Sequence, residues 1–175
     1  MSGLKGVADW ISATPPSVLA QKNEAWFMPA VQSIHIAGIG VVLACVLMMT
    51  LRIFGYAYVD HTVLQTQKRY GPWLTGALWL LLATGLLMIV CEQRALLTFS
   101  FWAKMTLVAV GALVAWGFQK TVRKHEATWG DAVVTRTPVR VAAVLTVCVW
   151  VAIVFLGRLI AYDQIWGGLS APFKG

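Results

Sequence analysis

The chain has 175 residues, of which 59% are hydrophobic and 12% charged, and its formal net charge is +7. A soluble domain of this length cannot bury so much apolar surface, so we expect an integral membrane protein. The positive charge is accompanied by no nucleic-acid motif, and basic residues in a membrane chain usually mark cytoplasmic loops, so we predict no nucleic-acid partner.

Residues 1–25 are the predicted N-terminal segment, which precedes the first long apolar stretch. Its apolar residues recur at helical spacing: Leu4, Val7, Ala8 and Ile11. Together with Trp10 they predict a short helix lying in the membrane interface and ending at Pro15. An irregular tail held by tryptophans is the alternative. The segment lacks the continuous apolar run of a signal peptide, so we expect it in the mature protein.

Residues 26–175 are the predicted transmembrane domain, with apolar stretches at residues 28–54, 73–90, 99–118 and 139–161. A membrane-spanning helix needs about 20 residues at about 1.5 Å each to cross roughly 30 Å of hydrocarbon. Strands are excluded because the stretches are continuously apolar and too few to close a barrel. The predicted fold class is therefore all-α, an integral membrane four-helix bundle.

Basic residues predict the orientation of this bundle. Eight of them flank the first and third connections: Arg52, Lys68, Arg69, Lys120, Arg123, Lys124, Arg136 and Arg140. Only four lie at the other end: Lys5, Lys22, Arg94 and Lys174. The positive-inside rule then predicts that both termini are outside the cell (N-out/C-out) and that the larger connections are cytoplasmic.

The cysteines and two of the three histidines form no recognisable metal motif. Cys45, Cys91 and Cys148 are too far apart in sequence for a zinc site or a redox pair. We expect Cys45 and Cys148 to be small core residues within helices. His61 and His125 lie in the predicted cytoplasmic connections, where solvated side chains are the expected outcome and a shared haem or metal site is the alternative.

Three strongly polar side chains lie inside apolar stretches at a similar predicted depth: His35, Lys104 and Arg158. An unpaired Lys or Arg in the hydrocarbon core costs roughly 2.5 to 3.5 kcal/mol on insertion scales, so such residues usually face the interior of a bundle and serve a ligand, an ion or each other. All three belong to the predicted outer leaflet. The second helix has Thr84, Gly85 and Met88 at that level.

This pattern suits a haem b or a quinone. His35 would ligate haem iron or hydrogen-bond a quinone, while Lys104 and Arg158 would bind propionates or another anionic group. Glycines such as Gly85 would admit a flat ligand. Met88 or Met105 would supply a sixth iron ligand, and Tyr162, just after the end of the fourth apolar stretch, completes the candidate cofactor-binding set.

The leading functional hypothesis is thus a membrane electron-transfer subunit working with a protein partner or as a homo-oligomer. It would not be an autonomous catalyst, because no Ser-His-Asp, paired-carboxylate or phosphate-loop constellation is present. The alternative is a non-redox membrane anchor or assembly partner without a cofactor. In that case Lys104 and Arg158 reach the lipid headgroups and His35 hydrogen-bonds a neighbouring helix.

Four segments carry a family resemblance: residues 26–38, which hold Trp26-Phe27-Met28-Pro29 and Gln32 to Gly38, then Leu51 to Gly55, Phe101 to Lys104, and Gly157 to Tyr162. From Trp10 to Tyr162 the chain resembles an uncharacterised family of small bacterial four-helix membrane proteins, a domain of unknown function. The resemblance implies a multi-pass protein of the bacterial cytoplasmic (inner) membrane.

The family's pattern emphasises the positions of His35, Arg52, Lys104 and Arg158. It departs from this chain at Thr50, where the family usually has an acidic residue. A salt bridge to Arg52 at that helix end is therefore not expected here.

Overall fold

The computed structural model describes residues 2–91, 96, 99–124 and 137–161. Within these ranges the chain is helical and contains no strand. The helices are α1 (Ser2–Ser12), α2 (Pro15–Lys22), α3 (Glu24–Phe54), α4 (Val63–Cys91), α5 (Phe99–Lys124) and α6 (Thr137–Ala161).

Four of these helices are long and apolar enough to cross a membrane, which confirms the predicted all-α class of a multi-pass membrane protein. The candidate spans are Ala25–Phe54, Val63–Cys91, Phe101–Thr121 and Thr137–Arg158. Each long helix extends beyond the apolar stretch that predicted it, because helix ends carry polar residues that a hydropathy window leaves out.

The start of α4 shows the largest difference, ten residues before the predicted Trp73. A capping box sets this boundary: the Gln65 backbone N–H donates to Thr62 Oγ1 at 3.2 Å, and the Thr62 N–H donates to Gln65 Oε1 at 2.9 Å. Pro72 lies inside the helix. The added turns bury Val63 and Gln67, so this polar start of the helix belongs to the bundle interior.

The end of α3 is set by Gly55, whose φ of 77° lies in the left-handed region. The Tyr56 N–H donates back to the Leu51 carbonyl at 2.9 Å, the pattern of a glycine-terminated helix. Residues 55–62 connect α3 to α4, and a side chain from each of these two helices contacts this connection. Arg52 Nε donates to the His61 carbonyl, and the Tyr70 hydroxyl donates to that of Tyr58 at 2.6 Å.

The N-terminal segment contains two helices where one was predicted. α1 ends at Ser12, and Pro15 begins α2, because a proline fits the first helical position, where its missing N–H is not needed. α2 packs against the end of α4: the buried Ser17 hydroxyl donates to the Val90 carbonyl at 2.8 Å. Residues 15–22 therefore cover one end of the bundle.

The four long helices form an antiparallel bundle in which α3 packs against α4 and α6, and α5 packs against α6 and, less extensively, α4. Small residues allow the helices to approach closely. A Cβ at Gly38 would lie 3.1 Å from Leu81 Cδ2, and one at Gly111 would lie 3.3 Å from the Trp150 ring. Trp150, 1% exposed, is part of the central core.

One core prediction is wrong. Cys45 is buried as expected, but Cys148 is exposed on the outside of α6. Hydropathy cannot distinguish a lipid-facing position from a core position, because both surroundings are apolar.

Candidate functional site

His35 meets the second long helix at the level that its depth predicted. Its Nδ1 lies 2.7 Å from Thr84 Oγ1, so the two side chains share a hydrogen bond between α3 and α4. Gly85 is next to this contact, since a Cβ there would lie 3.7 Å from His35 Cε1. Thr84 is 5% exposed and the imidazole is half-buried.

The hydrogen bonds of Thr84 determine which histidine nitrogen carries the proton. The Thr84 hydroxyl donates to the Leu80 carbonyl at 2.7 Å. Because a hydroxyl has one hydrogen, a Thr84 hydroxyl that donates to Leu80 accepts from Nδ1–H of His35, and we assign the tautomer on this basis. The neutral ring then has a lone pair on Nε2, which makes no hydrogen bond within the described part of the chain. Nε2 can therefore accept a proton, a hydrogen bond or a metal ion.

Lys104 on α5 joins this site. Its side chain is half-buried, and its charge is close enough to act on the His35 ring. A Cβ at Gly157 of α6 would lie 3.4 Å from Lys104 Nζ and 3.7 Å from Cε, so the glycine makes room for the ammonium group. All four long helices thus contribute to one site, the histidine cluster, made of His35, Thr84, Gly85, Lys104 and Gly157.

The remaining predicted site residues surround this cluster less closely. Arg158 follows Gly157 near the end of α6 and is exposed. Met88 is half-buried one turn beyond Thr84, and Met105 is 38% exposed on α5. Tyr162 lies outside the described residues. The structure therefore brings His35 and Lys104 together and leaves Arg158 at the rim.

Side chains lie against the glycines that would have admitted a porphyrin, namely Gly85 and also Gly38 and Gly157. Leu81 packs over Gly38, Lys104 over Gly157 and His35 beside Gly85. The lone pair of His35 Nε2 suits iron chemically, but none of these three glycines leaves an open slot for a porphyrin plane. No group of three or more metal-ligating side chains occurs among the described residues.

The opposite end of the bundle, where α3 ends and α4 begins, carries the other residues noted in the sequence. Arg52 is buried and donates to the His61 backbone carbonyl. His61 itself is exposed beside the Tyr58 ring, and His125 lies outside the described residues. A histidine pair at this end stays a prediction.

A second feature at that end was missed by the sequence reasoning. A cavity of about 310 Å³ lies between the four long helices, and two glutamines, Gln67 and Gln119, are among its lining residues. We call it the glutamine cavity. The signal was available, since Gln67 near the start of α4 and Gln119 near the end of α5 lie at the same end of the bundle, but Gln67 precedes the apolar stretch that predicted α4.

Comparison with known proteins gives one match. A model for a family of unknown function (DUF6644) matches residues 9–163. No curated protein and no solved structure matches the chain. The match covers the histidine cluster and all four long helices, and it confirms the resemblance seen in the sequence. The chain belongs to this family of unknown function.

Proposed function

We propose that this chain is a membrane subunit of an electron-transfer system and that the histidine cluster binds a quinone headgroup. The observation that carries the proposal is the bond from His35 Nδ1 to Thr84, which fixes the ring and leaves the Nε2 lone pair available. A quinol hydroxyl would donate to Nε2. The Lys104 ammonium, on a neighbouring helix, would donate to the oxygen at the other side of the ring.

The location of the cluster supports a lipophilic ligand. It lies within helices that are long and apolar enough to cross a bilayer. A quinone ring carried by an apolar tail would reach it from the membrane, where His35 of α3 meets Thr84 of α4. We further propose, from the distribution of basic residues, that the protein resides in a bacterial cytoplasmic membrane with this end facing outward. Electrons would pass to a redox protein partner bound at that surface or to a second copy of the chain.

Haem b is the related proposal that the same lone pair supports. His35 would be the axial ligand, and Lys104 would neutralise a propionate. We rank it below the quinone, because the glycines expected to admit the porphyrin are covered by Leu81, Lys104 and His35.

A cofactor-free anchor is the second candidate function. It is favoured by the satisfied state of the His35–Thr84 pair, which can serve helix packing alone, and by many exposed apolar side chains on the outer helix faces that suit lipid or a partner helix. In this case His35→Gln would be tolerated without loss of any ligand.

The proposal is tested by measuring which quinone or haem the purified protein contains. We would extract quinones from the detergent-purified wild type and from His35→Asn, and record oxidised and dithionite-reduced absorption spectra of both. Asn keeps an amide near the Nδ1 position and loses Nε2. The proposal predicts quinone in the wild type, much less in the variant, and no Soret band. A Soret band lost in the variant would favour haem, and two empty proteins would favour the anchor.

A further inference from the structure

The glutamine cavity lies at the opposite end of the bundle from the histidine cluster. Its volume is about 310 Å³, at the lower end of the range for small-molecule sites. Its walls are largely apolar and come from all four long helices, with Met49, Leu74, Ala115 and Ala143 among them. No Asp, Glu, Lys or Arg is among the described residues that line it, so its chemistry suits an uncharged molecule.

Gln67 is the fully buried polar side chain among the described residues that line this cavity. Its Oε1 has no hydrogen-bond partner among the described residues. Its Nε2 lies 3.5 Å from Gln119 Oε1, at the outer limit of a hydrogen bond. A buried amide oxygen without a donor is costly, so its presence beside a cavity calls for an explanation.

The local backbone makes room for this glutamine. Gly71 lies one turn along α4, and a Cβ there would be 2.7 Å from Gln67 Nε2 and 3.3 Å from Gln119 Oε1. A larger residue at position 71 would push both carboxamides aside. The arrangement of two glutamines over a glycine therefore depends on specific residues of α4 and α5.

We propose that the glutamine cavity binds an uncharged lipophilic ring compound carrying one hydroxyl donor, the chemistry of a phenol, with the hydroxyl donating to Gln67 Oε1. At roughly 30 Å³ for each water-sized group, the cavity holds about ten such groups, which matches two fused rings. A lipid acyl chain would fill the volume but would leave Gln67 without a donor. This inference does not depend on the function proposed for the histidine cluster.

The probe is 2-naphthol, compared with 2-methoxynaphthalene, which has the same rings but no donor. Saturable binding to the full chain in nanodiscs would be measured above partition into empty nanodiscs. We expect 2-naphthol to bind about five- to tenfold more tightly than the ether, the contribution of one buried hydrogen bond. Gln67→Leu should abolish this preference, whereas Gln32→Leu, on an exposed position of α3, should keep it.

A second variant tests the location. Ala143→Leu places a larger side chain in the cavity wall and should weaken binding of both probes at least tenfold, while Ala83→Leu, at an exposed position of α4, should leave both unchanged. The same comparison made in the His35→Asn background removes any probe bound at the histidine cluster, so that the preference lost in Gln67→Leu reports on the glutamine cavity alone. Absence of saturable binding to the wild type, equal affinity for the two probes, or an unaltered preference in Gln67→Leu would overturn the proposal.

Discussion

The hydrogen bond between His35 and Thr84 gives the most specific prediction about the bundle. Thr84→Val keeps the shape of the side chain and removes the hydroxyl that accepts from Nδ1 at 2.7 Å. Hydrogen bonds between membrane helices average about 0.6 kcal/mol and reach about 1.7 kcal/mol. Because Thr84 is 5% exposed and the distance is short, we expect a value of about 1 kcal/mol, roughly fivefold in the unfolding equilibrium.

A double-mutant cycle measures this value. Wild type, Thr84→Val, His35→Ala and the double variant would be unfolded in mixed detergent, and the coupling free energy taken from the four stabilities. Thr75→Val is the matched control, since the Thr75 hydroxyl bonds only the Gly71 carbonyl of its own helix. A coupling between His35 and Thr84 no larger than that between His35 and Thr75 would refute the assigned contact and the histidine tautomer derived from it.

Two further predictions concern packing in the core, and a third concerns the connection between α3 and α4. Trp150→Ala should lower the free energy of unfolding by about 3–5 kcal/mol, because this core ring is 1% exposed. Trp79→Ala, at a side chain that is 68% exposed, should change this free energy by much less. Equal losses in the two variants would contradict the assigned core. Gly111→Ala should destabilise the protein by about 1–3 kcal/mol, because the added Cβ would lie 3.3 Å from the Trp150 ring. In the same denaturation assay Gly117→Ala should be neutral or stabilising, because a Cβ there has no atom within 4 Å. Arg52→Met should make residues 55–62 more sensitive to limited proteolysis, because the hydrogen bond to the His61 carbonyl is lost. Lys120→Met, whose ammonium group lies over the Trp116 ring, should leave the cleavage rate unchanged. Identical cleavage rates in the two variants would argue against a role of the Arg52 hydrogen bond in holding this connection.

The sequence predicted the class of the fold because apolar length is a strong signal. Four stretches of about 20 apolar residues leave helices as the only spanning solution, and the described part of the chain has four such helices. Boundaries were less predictable. The start of α4 depends on the reciprocal bonds between Thr62 and Gln65, a local signal that precedes the apolar stretch and that hydropathy does not register.

For the site, the sequence predicted only the depth of each residue along its helix. Counting residues along each helix placed Thr84 and Gly85 at the level of His35, and the structure puts them side by side. The direction of each side chain around its helix could not be obtained in this way, since lipid-facing and core-facing positions are equally apolar. The same limit explains why Cys148 was misplaced and why Arg158 proves to be exposed.

The central claim is that His35 Nε2 and Lys104 bind the headgroup of a quinol, whose hydroxyl donates to Nε2. The direct measurement is saturable binding of decylubiquinol, kept reduced, to the nanodisc-embedded chain. Wild type and Ser33→Ala, an exposed position on the same helix end, should bind alike. His35→Asn and Lys104→Met should each bind at least tenfold more weakly, and His35→Gln, whose amide reaches the Nε2 position, should retain part of the affinity. Unchanged binding in His35→Asn, or none in the wild type, would contradict the account.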